Sequence, residues 1–154
     1  MICGEKVTLV PYRHKFVEVY HEWMKDPYIL EMTASEPLTI EKEYQMQKSW
    51  REDSNKCTFI VLSNETELSG SSENGNHTEI TRMAGDVNMF LTDYEDKGVA
   101  EMEVMIAEPR CRRQGFAQEA VILMMAYGVT HLGIHRFFAK INKANDVSIA
   151  LFRK

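Results

Sequence analysis

The sequence lacks the features of a membrane-embedded or secreted protein. Its longest apolar-rich stretch, residues 120–129, is far shorter than the ~20 residues that a helix needs to cross a bilayer. The first residues contain no basic segment followed by an apolar run, so no secretory signal is predicted. We therefore expect a cytoplasmic protein with no membrane partner.

Cysteine is scarce, and its spacing is not that of a metal or disulfide motif. Cys3, Cys57 and Cys111 lie far apart and form no C-x-x-C pair, which argues against both a disulfide framework and a zinc site. The five histidines are likewise scattered without the spacing of metal ligands. The sequence predicts three reduced thiols and no bound metal.

An excess of positive charge is also lacking. The chain has 18 Lys and Arg against 23 Asp and Glu, a formal net charge of −5 at pH 7. Nucleic-acid binding relies on a basic surface that displaces counterions, so it is not expected here, whereas a basic partner is permitted. With 154 residues, 44% of them hydrophobic, the chain is typical of a single globular domain.

Hydrophobic periodicity predicts strands and helices in mixed order. Alternation predicts a strand at residues 6–12, and a 3.6-residue period predicts a helix from Arg13 that stops at Pro27. Thr39 is the expected N-cap of a second helix, which ends near Asp53. Three short β-rich segments are predicted strands, the last two forming an antiparallel pair: 57–62, 82–92 and 100–107.

The rest of the chain alternates between loop, helix and strand. Residues 63–81 are too polar to bury much surface and are predicted to be a flexible loop. A long apolar helical face runs from Gly115 to a C-cap at Gly133. A strand at 135–141 follows, and a last helix begins near Asn145 and is still continuing at the end of the sequence.

The most informative segment, residues 104–120, is a strand, a basic glycine-bearing turn and a helix. The free N–H groups and positive dipole end of a helix start are suited to a pyrophosphate. Arg112 and Arg113 add charge, Gly115 permits close backbone approach, and Ala117 is small for the same reason. Neither a Walker loop nor G-x-G-x-x-G is present. A solvated basic turn is the alternative interpretation.

The segment Arg112-Arg113-Gln114-Gly115-Phe116-Ala117 resembles the Arg/Gln-x-x-Gly-x-Gly/Ala coenzyme A loop of the GNAT superfamily of N-acetyltransferases. The predicted element order agrees over essentially the whole chain. A closer match, to the N-acetyltransferase 9 family, rests on six segments: 9–12, 21–24, 33–39, 56–62, 85–93 and 103–109. The resemblance implies one acyltransferase domain over 1–154, a mixed α/β fold, with acetyl-CoA as co-substrate.

The same resemblance implies where the coenzyme binds. In the superfamily, the main chain of the strand before the loop pairs with the pantetheine arm, here at Val104, Met105 and Ile106. The pyrophosphate contacts carry over to the loop and the first helical turn: Arg112, Arg113, Gln114, Gly115, Phe116 and Ala117. Asn145 resembles an asparagine that contacts the coenzyme, although it would serve equally well as an N-cap.

The implied reaction is attack of a neutral amine on the thioester carbonyl. An α-amino group, with a pKa of about 7.7–8.0, loses its proton more readily than lysine at about 10.4. Glu101 and Glu103, two apart on one strand face, are candidates to accept that proton directly or through water. The alternative is a solvated carboxylate pair with no proton role.

Two nearby residues are expected to take no part in the chemistry. Many superfamily members use a tyrosine in the last helix to protonate the leaving thiolate, and here that position is Phe152. Water would then protonate the thiolate. Cys111 lies beside the loop but has no paired histidine, so we expect it to be a bystander rather than a nucleophile.

The sequence predicts a fold that is incomplete at its C-terminal end. In the superfamily, two further strands follow the last helix, and the sequence ends before them. The expected function is an N-acetyltransferase that acts on a protein or peptide N-terminus, with tubulin as the acceptor that the family suggests. The alternative is a catalytically inactive truncated isoform that binds only coenzyme A or a protein partner. The oligomeric state is not predicted.

Overall fold

The structure is a computed structural model that describes residues 2–32, 36–64, 82–91, 98–108, 111 and 115–139. Within these residues, six strands form one sheet in chain order. The strands are β1 (Ile2–Cys3), β2 (Val7–Pro11), β3 (Lys56–Ser63), β4 (Met83–Phe90), β5 (Val99–Ile106) and β6 (Arg136–Phe138). Neighbouring strands are antiparallel except β5 and β6, which are parallel.

Helices cover both faces of this sheet. A 3-10 turn (His14–Phe16) leads into α1 (Val17–Trp23), which α2 (Pro27–Met32) and α3 (Ile40–Glu52) follow on the same face. The other face is covered by α4 (Phe116–Leu132), the crossover that the parallel pairing of β5 with β6 requires. In the described ranges, no helix is long and apolar enough to cross a membrane.

The two faces of the sheet differ in what they bury. Successive strand residues point to opposite faces, and the face toward α4, called the α4 face below, buries an apolar cluster that includes Leu9, Val61, Val87 and Met124. The α1–α3 face also buries apolar side chains. It adds the buried Asp and Asn of β4 and the buried Glu and Gln of α3: Asp86, Asn88, Glu43 and Gln47.

Most of the predicted elements are confirmed, and so is the mixed α/β class. Thr39 is the N-cap of α3, where its Oγ1 accepts the Lys42 amide at 3.3 Å. At the other end of the chain, Gly133 ends α4 with a φ of 67°, a left-handed conformation that favours glycine. The hairpin of β4 and β5 is antiparallel as expected.

The prediction for the region between β2 and β3 missed one helix. The first helix ends before Pro27 as predicted, at Trp23, but Pro27 then begins an additional helix, α2, that was not predicted. Proline suits that position, since the first helical N–H has no acceptor within the helix. The structure also contains β1, which is too short to produce a periodic signal.

The first two residues of the predicted loop at 63–81 have defined contacts. Ser63 is the last residue of β3, and the Asn64 side chain joins two segments: its Nδ2 donates to the Gly4 carbonyl at 2.9 Å and its Oδ1 accepts from the Thr8 hydroxyl at 2.6 Å. Residues 65–81 and the helix predicted near Asn145 lie outside the described residues.

Candidate active site

Strand β5 has a longer described pairing with β4 than with β6. Its pairing with β4 continues to Ile106, which lies opposite Gly85. Its pairing with β6 includes only Val99, Ala100 and Glu101. In the described part of the chain, the edge of β5 along Val104 and Met105 therefore pairs with no strand on the β6 side. A strand edge of this kind can pair with an extended ligand through main-chain hydrogen bonds.

The turn before α4 supplies a second binding element next to this edge. Gly115 is the N-cap of the 17-residue helix and has φ 81° and ψ 11°, a left-handed conformation that costs glycine little. Gly115 itself has no side chain to cap this end, and the first-turn amides of any helix lack intrahelical acceptors. The helix start therefore offers N–H donors and the positive end of a macrodipole.

A lysine from the N-terminal turn lies beside Gly115. A Cβ at Gly115 would be 2.9 Å from Lys6 Nζ. The backbone of the same turn is held by Glu119, whose carboxylate accepts the amides of Glu5 at 3.1 Å, Lys6 at 2.7 Å and Val7 at 2.7 Å. Hydrogen bonds to an ionised acceptor are stronger than neutral ones, so Glu119 ties the β1–β2 turn to the first turn of α4.

The two candidate carboxylates lie together on the α1–α3 face of β5. Glu101 is partly buried opposite Phe90, and Glu103 is exposed opposite Asn88. The pKa of Glu103 is raised mainly because the surrounding protein displaces part of the water around its carboxylate, although one side of this residue remains open to solvent. The negative charge of Asp86 raises this pKa further, while Lys56 opposes the shift.

Asp86 forms a buried hydrogen-bond chain beside these carboxylates. Its Oδ2 accepts from the Tyr20 hydroxyl at 3.0 Å and from Asn88 Nδ2 at 3.3 Å, and Asn88 Oδ1 accepts from the Thr58 hydroxyl at 2.7 Å. Burial raises the pKa of Asp86, whereas the hydrogen bonds from Tyr20 and Asn88 and the charge of Lys56 oppose that rise. Burial, followed by the charge of Asp86, raises the pKa of Tyr20, which therefore remains a phenol and a donor.

Lys56, the first residue of β3, supplies the positive charge on this face. Its Nζ lies 3.2 Å from the ring centroid of Trp50 and 4.7 Å from that of Phe90, distances at which an ammonium is attracted to an aromatic ring. Burial lowers the pKa of Lys56 to about 8, and the charges of Asp86, Glu103 and Asp53 oppose that shift.

Sequence reasoning did not identify Asp86, Lys56, Glu119 or Lys6 as site residues. For Asp86 a signal was present: β4 reads Met-Ala-Gly-Asp-Val-Asn-Met-Phe, in which two polar residues alternate within an otherwise apolar strand. Lys56 carried no comparable signal, because its neighbours Trp50 and Phe90 come from separate elements.

The structure places the predicted site residues in two groups. One group lies on β5: Glu101, Glu103, Val104, Met105 and Ile106. The other lies at the start of α4: Gly115, Phe116 and Ala117. Four further predicted contacts lie outside the described residues: Arg112, Arg113, Gln114 and Asn145. Within the described ranges, no group of three or more His, Cys, Asp or Glu side chains is placed to hold a metal ion.

The mixed sheet, the crossover from β5 through α4 to β6, and the glycine at the start of α4 agree with the N-acetyltransferase class of acyltransferases that the sequence resembles. Residues 6–154 match the family model described as "Acetyltransferase (GNAT) domain", so the chain belongs to the GNAT acetyltransferase family and is an acetyltransferase. The predicted resemblance to the superfamily and to its N-acetyltransferase 9 branch is thereby confirmed.

Individual relatives agree with this family. The N-acetyltransferase 9-like protein of Nematostella vectensis is 50% identical over 153 residues, which cover 99% of this chain and 75% of that protein. Human alpha/beta-tubulin-N-acetyltransferase 9 is 53% identical over 155 residues, covering 100% of this chain and 73% of that protein. The spermidine N-acetyltransferase of Vibrio cholerae, solved with CoA and spermine, has the same fold, with a TM-score of 0.76, 17% identity, and coverage of 97% of this chain and 79% of that one.

Proposed function

We propose that this acetyltransferase uses acetyl-CoA to acetylate the α-amino group of a protein N-terminus. The observations that support the proposal best are the edge of β5 beyond Glu101, which pairs with no described strand on the β6 side, and the start of α4 at Gly115. An extended arm fits the strand edge, and an anionic group fits the helix start. The described residues therefore suit the two chemical parts of the coenzyme, an amide-bearing arm and a pyrophosphate.

The coenzyme contacts follow from this placement. Main-chain groups of Val104, Met105 and Ile106 hold the pantetheine arm, as the family resemblance implies. The first-turn amides of α4, beginning at Gly115, hold the pyrophosphate: Gly115, Phe116 and Ala117, together with Arg112, Arg113 and Gln114 before them. Asn145 remains a predicted contact from the last helix.

Glu103 is the proposed general base, with Glu101 as the second candidate. Acetyl-CoA, when bound, supplies the thioester carbonyl that the acceptor nitrogen attacks and the thiolate that leaves. Glu103 takes the proton of the acceptor ammonium, directly or through water. A carboxylate whose pKa is raised toward neutrality is better matched to this task than an ordinary one. Its exposed side leaves room for an acceptor.

The acceptor we propose is the N-terminus of tubulin. The human relative is named for acetylation of alpha- and beta-tubulin. The proposed acceptor side presents the carboxylates of Glu101 and Glu103 near buried Asp86, which favours a cationic amine electrostatically. A cytoplasmic location and the Phe152 position in the last helix stay predictions from the sequence.

The test is a calorimetric titration of the full chain with acetyl-CoA, followed by acetyl transfer to a peptide with the tubulin N-terminus. The matched control peptide has the same sequence, an N-terminus already acetylated, and an added internal lysine. We expect coenzyme binding and transfer to the free N-terminus alone. Binding without transfer would support the alternative of coenzyme binding without turnover, and transfer mainly to lysine would refute the proposed acceptor class.

A further inference from the structure

Two charged residues beside the proposed base, buried Asp86 and partly buried Lys56, have no assigned task. Asp86 is 3% exposed, and within the described residues it forms no salt bridge. A buried carboxylate without an ion pair costs stability, while the residues that β4 contributes to the α4-face cluster are all apolar: Ala84, Val87 and Met89. Packing alone would be served better by an apolar side chain, so the retained charge needs another explanation.

The strand register places both charges near Glu103. Thr58, Asn88 and Glu103 lie opposite one another on β3, β4 and β5, so their side chains share the α1–α3 face. Asp86 pairs with Met105 and is therefore the diagonal neighbour of Glu103, a relation that separates residues by about 7–8 Å in an antiparallel pair.

Lys56 approaches the same place from the next strand. It lies opposite Phe90, which in turn lies opposite Glu101. Its ammonium is held over the rings of Trp50 and Phe90, which keeps the charge on this face rather than in bulk water. The chain of Tyr20, Asp86, Asn88 and Thr58 fixes the opposing negative charge.

We propose that Asp86 and Lys56 are positioning residues that set, in opposite directions, the pH at which Glu103 gains its proton. This inference rests on the proposed role of Glu103 as the base. The direction of each effect agrees with the pKa of Glu103, which the charge of Asp86 raises and the charge of Lys56 lowers.

Other charged or titratable groups near Glu103 also act on it electrostatically, directly or through Lys56 and Asp86. Glu101 on β5 raises the pKa of Glu103 less than Asp86 does, and Asp53, after α3, acts on Lys56. The Tyr20 hydroxyl of α1 reaches this region only through Asp86, to which it donates. Asp86 and Lys56 are therefore the two described charges to vary.

The direct measurement is the titration of the Glu103 carboxyl carbon by ¹³C NMR in the coenzyme-free full chain, assigned by its loss in Glu103→Gln. At an effective dielectric constant near 20 to 40, removing one charge about 7–8 Å away shifts a titration midpoint by about 0.8–1.7 pH units. We expect Asp86→Asn to lower the Glu103 midpoint and Lys56→Met to raise it. Lys56→Arg, which keeps the charge, should restore the original value.

A charge-matched control separates a local from a general effect. Lys25→Met removes the same charge from an exposed pair with Glu22, and it should leave the Glu103 midpoint unchanged. Circular dichroism melting identifies any variant that fails to fold. If Asp86→Asn does not fold, Lys56→Met and Lys56→Arg still test the opposite arm of the proposal.

The pH profile of kcat/KM provides the functional reading. The acceptor amine titrates in the same way with every variant, so a shift in the acid limb of the profile reflects a group on the enzyme. This shift should follow the shift of the Glu103 midpoint measured by NMR. If Asp86 and Lys56 had only a structural role, their substitution would lower kcat/KM without shifting the acid limb or the NMR midpoint. If the Glu103 midpoint is unchanged in folded Asp86→Asn and Lys56→Met, or shifts in the same direction in both, this inference is overturned and the proposed function is not affected. An acid limb that survives Glu103→Gln would instead remove the proposed base and this inference with it.

Discussion

The two faces of one sheet are built from the same strands but bury different chemistry. On the α4 face, alternate residues of β3, β4 and β5 pack against α4 through apolar contacts. Phe59, Val87 and Met102 are examples, one from each strand. On the α1–α3 face, the intervening residues include Asp86 and Asn88. The difference indicates that one face maintains the fold, while the other gives up part of its apolar burial to hold charge beside the proposed acceptor.

The α4 face should therefore dominate stability, and the largest effect is expected there. Met124 is fully buried on α4, so Met124→Ala should lower the free energy of unfolding by about 2–5 kcal/mol. Ile122 on the same helix is 56% exposed, and Ile122→Ala should cost about 0.5 kcal/mol or less. Urea denaturation followed by circular dichroism measures both. Equal losses would contradict the assignment of this face as the core.

The start of α4 should matter more for the coenzyme than its end. Gly115 and Gly133 both have positive φ, at opposite ends of the helix, so alanine at either position should cost about 1 kcal/mol of stability. Only Gly115→Ala should also weaken acetyl-CoA binding, by roughly tenfold or more, which corresponds to about 1.4 kcal/mol.

Calorimetry on the two alanine variants makes this comparison. Gly133 is the matched control because a Cβ there would meet nothing within 4 Å. Equal coenzyme affinity in both variants would refute the placement of the pyrophosphate at Gly115.

The connection between the N-terminal turn and α4 is expected to have a smaller effect. Glu119→Gln removes the charge that accepts the amides of Lys6 and Val7. We expect a loss of about 1–2 kcal/mol in stability and a several-fold weaker coenzyme affinity, because Lys6 would no longer be held beside Gly115. Glu18→Gln, at the start of α1, is the control, and both are measured by thermal melting and titration. Unchanged melting in Glu119→Gln would contradict the role given to this contact.

The smallest expected effect is a pH dependence of stability that comes from the α1–α3 face. Burial raises the pKa of Asp86 and of Glu43, so the folded protein holds these protons more tightly than the unfolded chain does. Their contribution to stability is present below the unfolded pKa values of about 4 and is lost as pH rises through the folded ones. Asp86→Asn should therefore flatten the fall in unfolding free energy as pH rises above about 4. A parallel pH dependence in the two proteins would contradict this.

Local signals were enough for most of the fold and for part of the candidate site. Thr39 and Gly133 mark helix ends by chemistry that depends on a few neighbouring residues. Period-two alternation placed Glu101 and Glu103 on one face of β5. The helix that Pro27 begins was missed because proline both ends one helix and begins another, and the sequence alone does not distinguish these outcomes.

The sequence by itself determined the family, the order of most elements and the glycine turn that opens α4, because each depends on residues close together in the chain. Only the tertiary structure decided that Asp86 and Lys56 flank Glu103, and that Glu119 holds the turn of Lys6 against the helix start. These contacts join residues far apart in sequence. Strand register and side-chain burial, which set both the neighbours and the local dielectric, exist only once the sheet has formed.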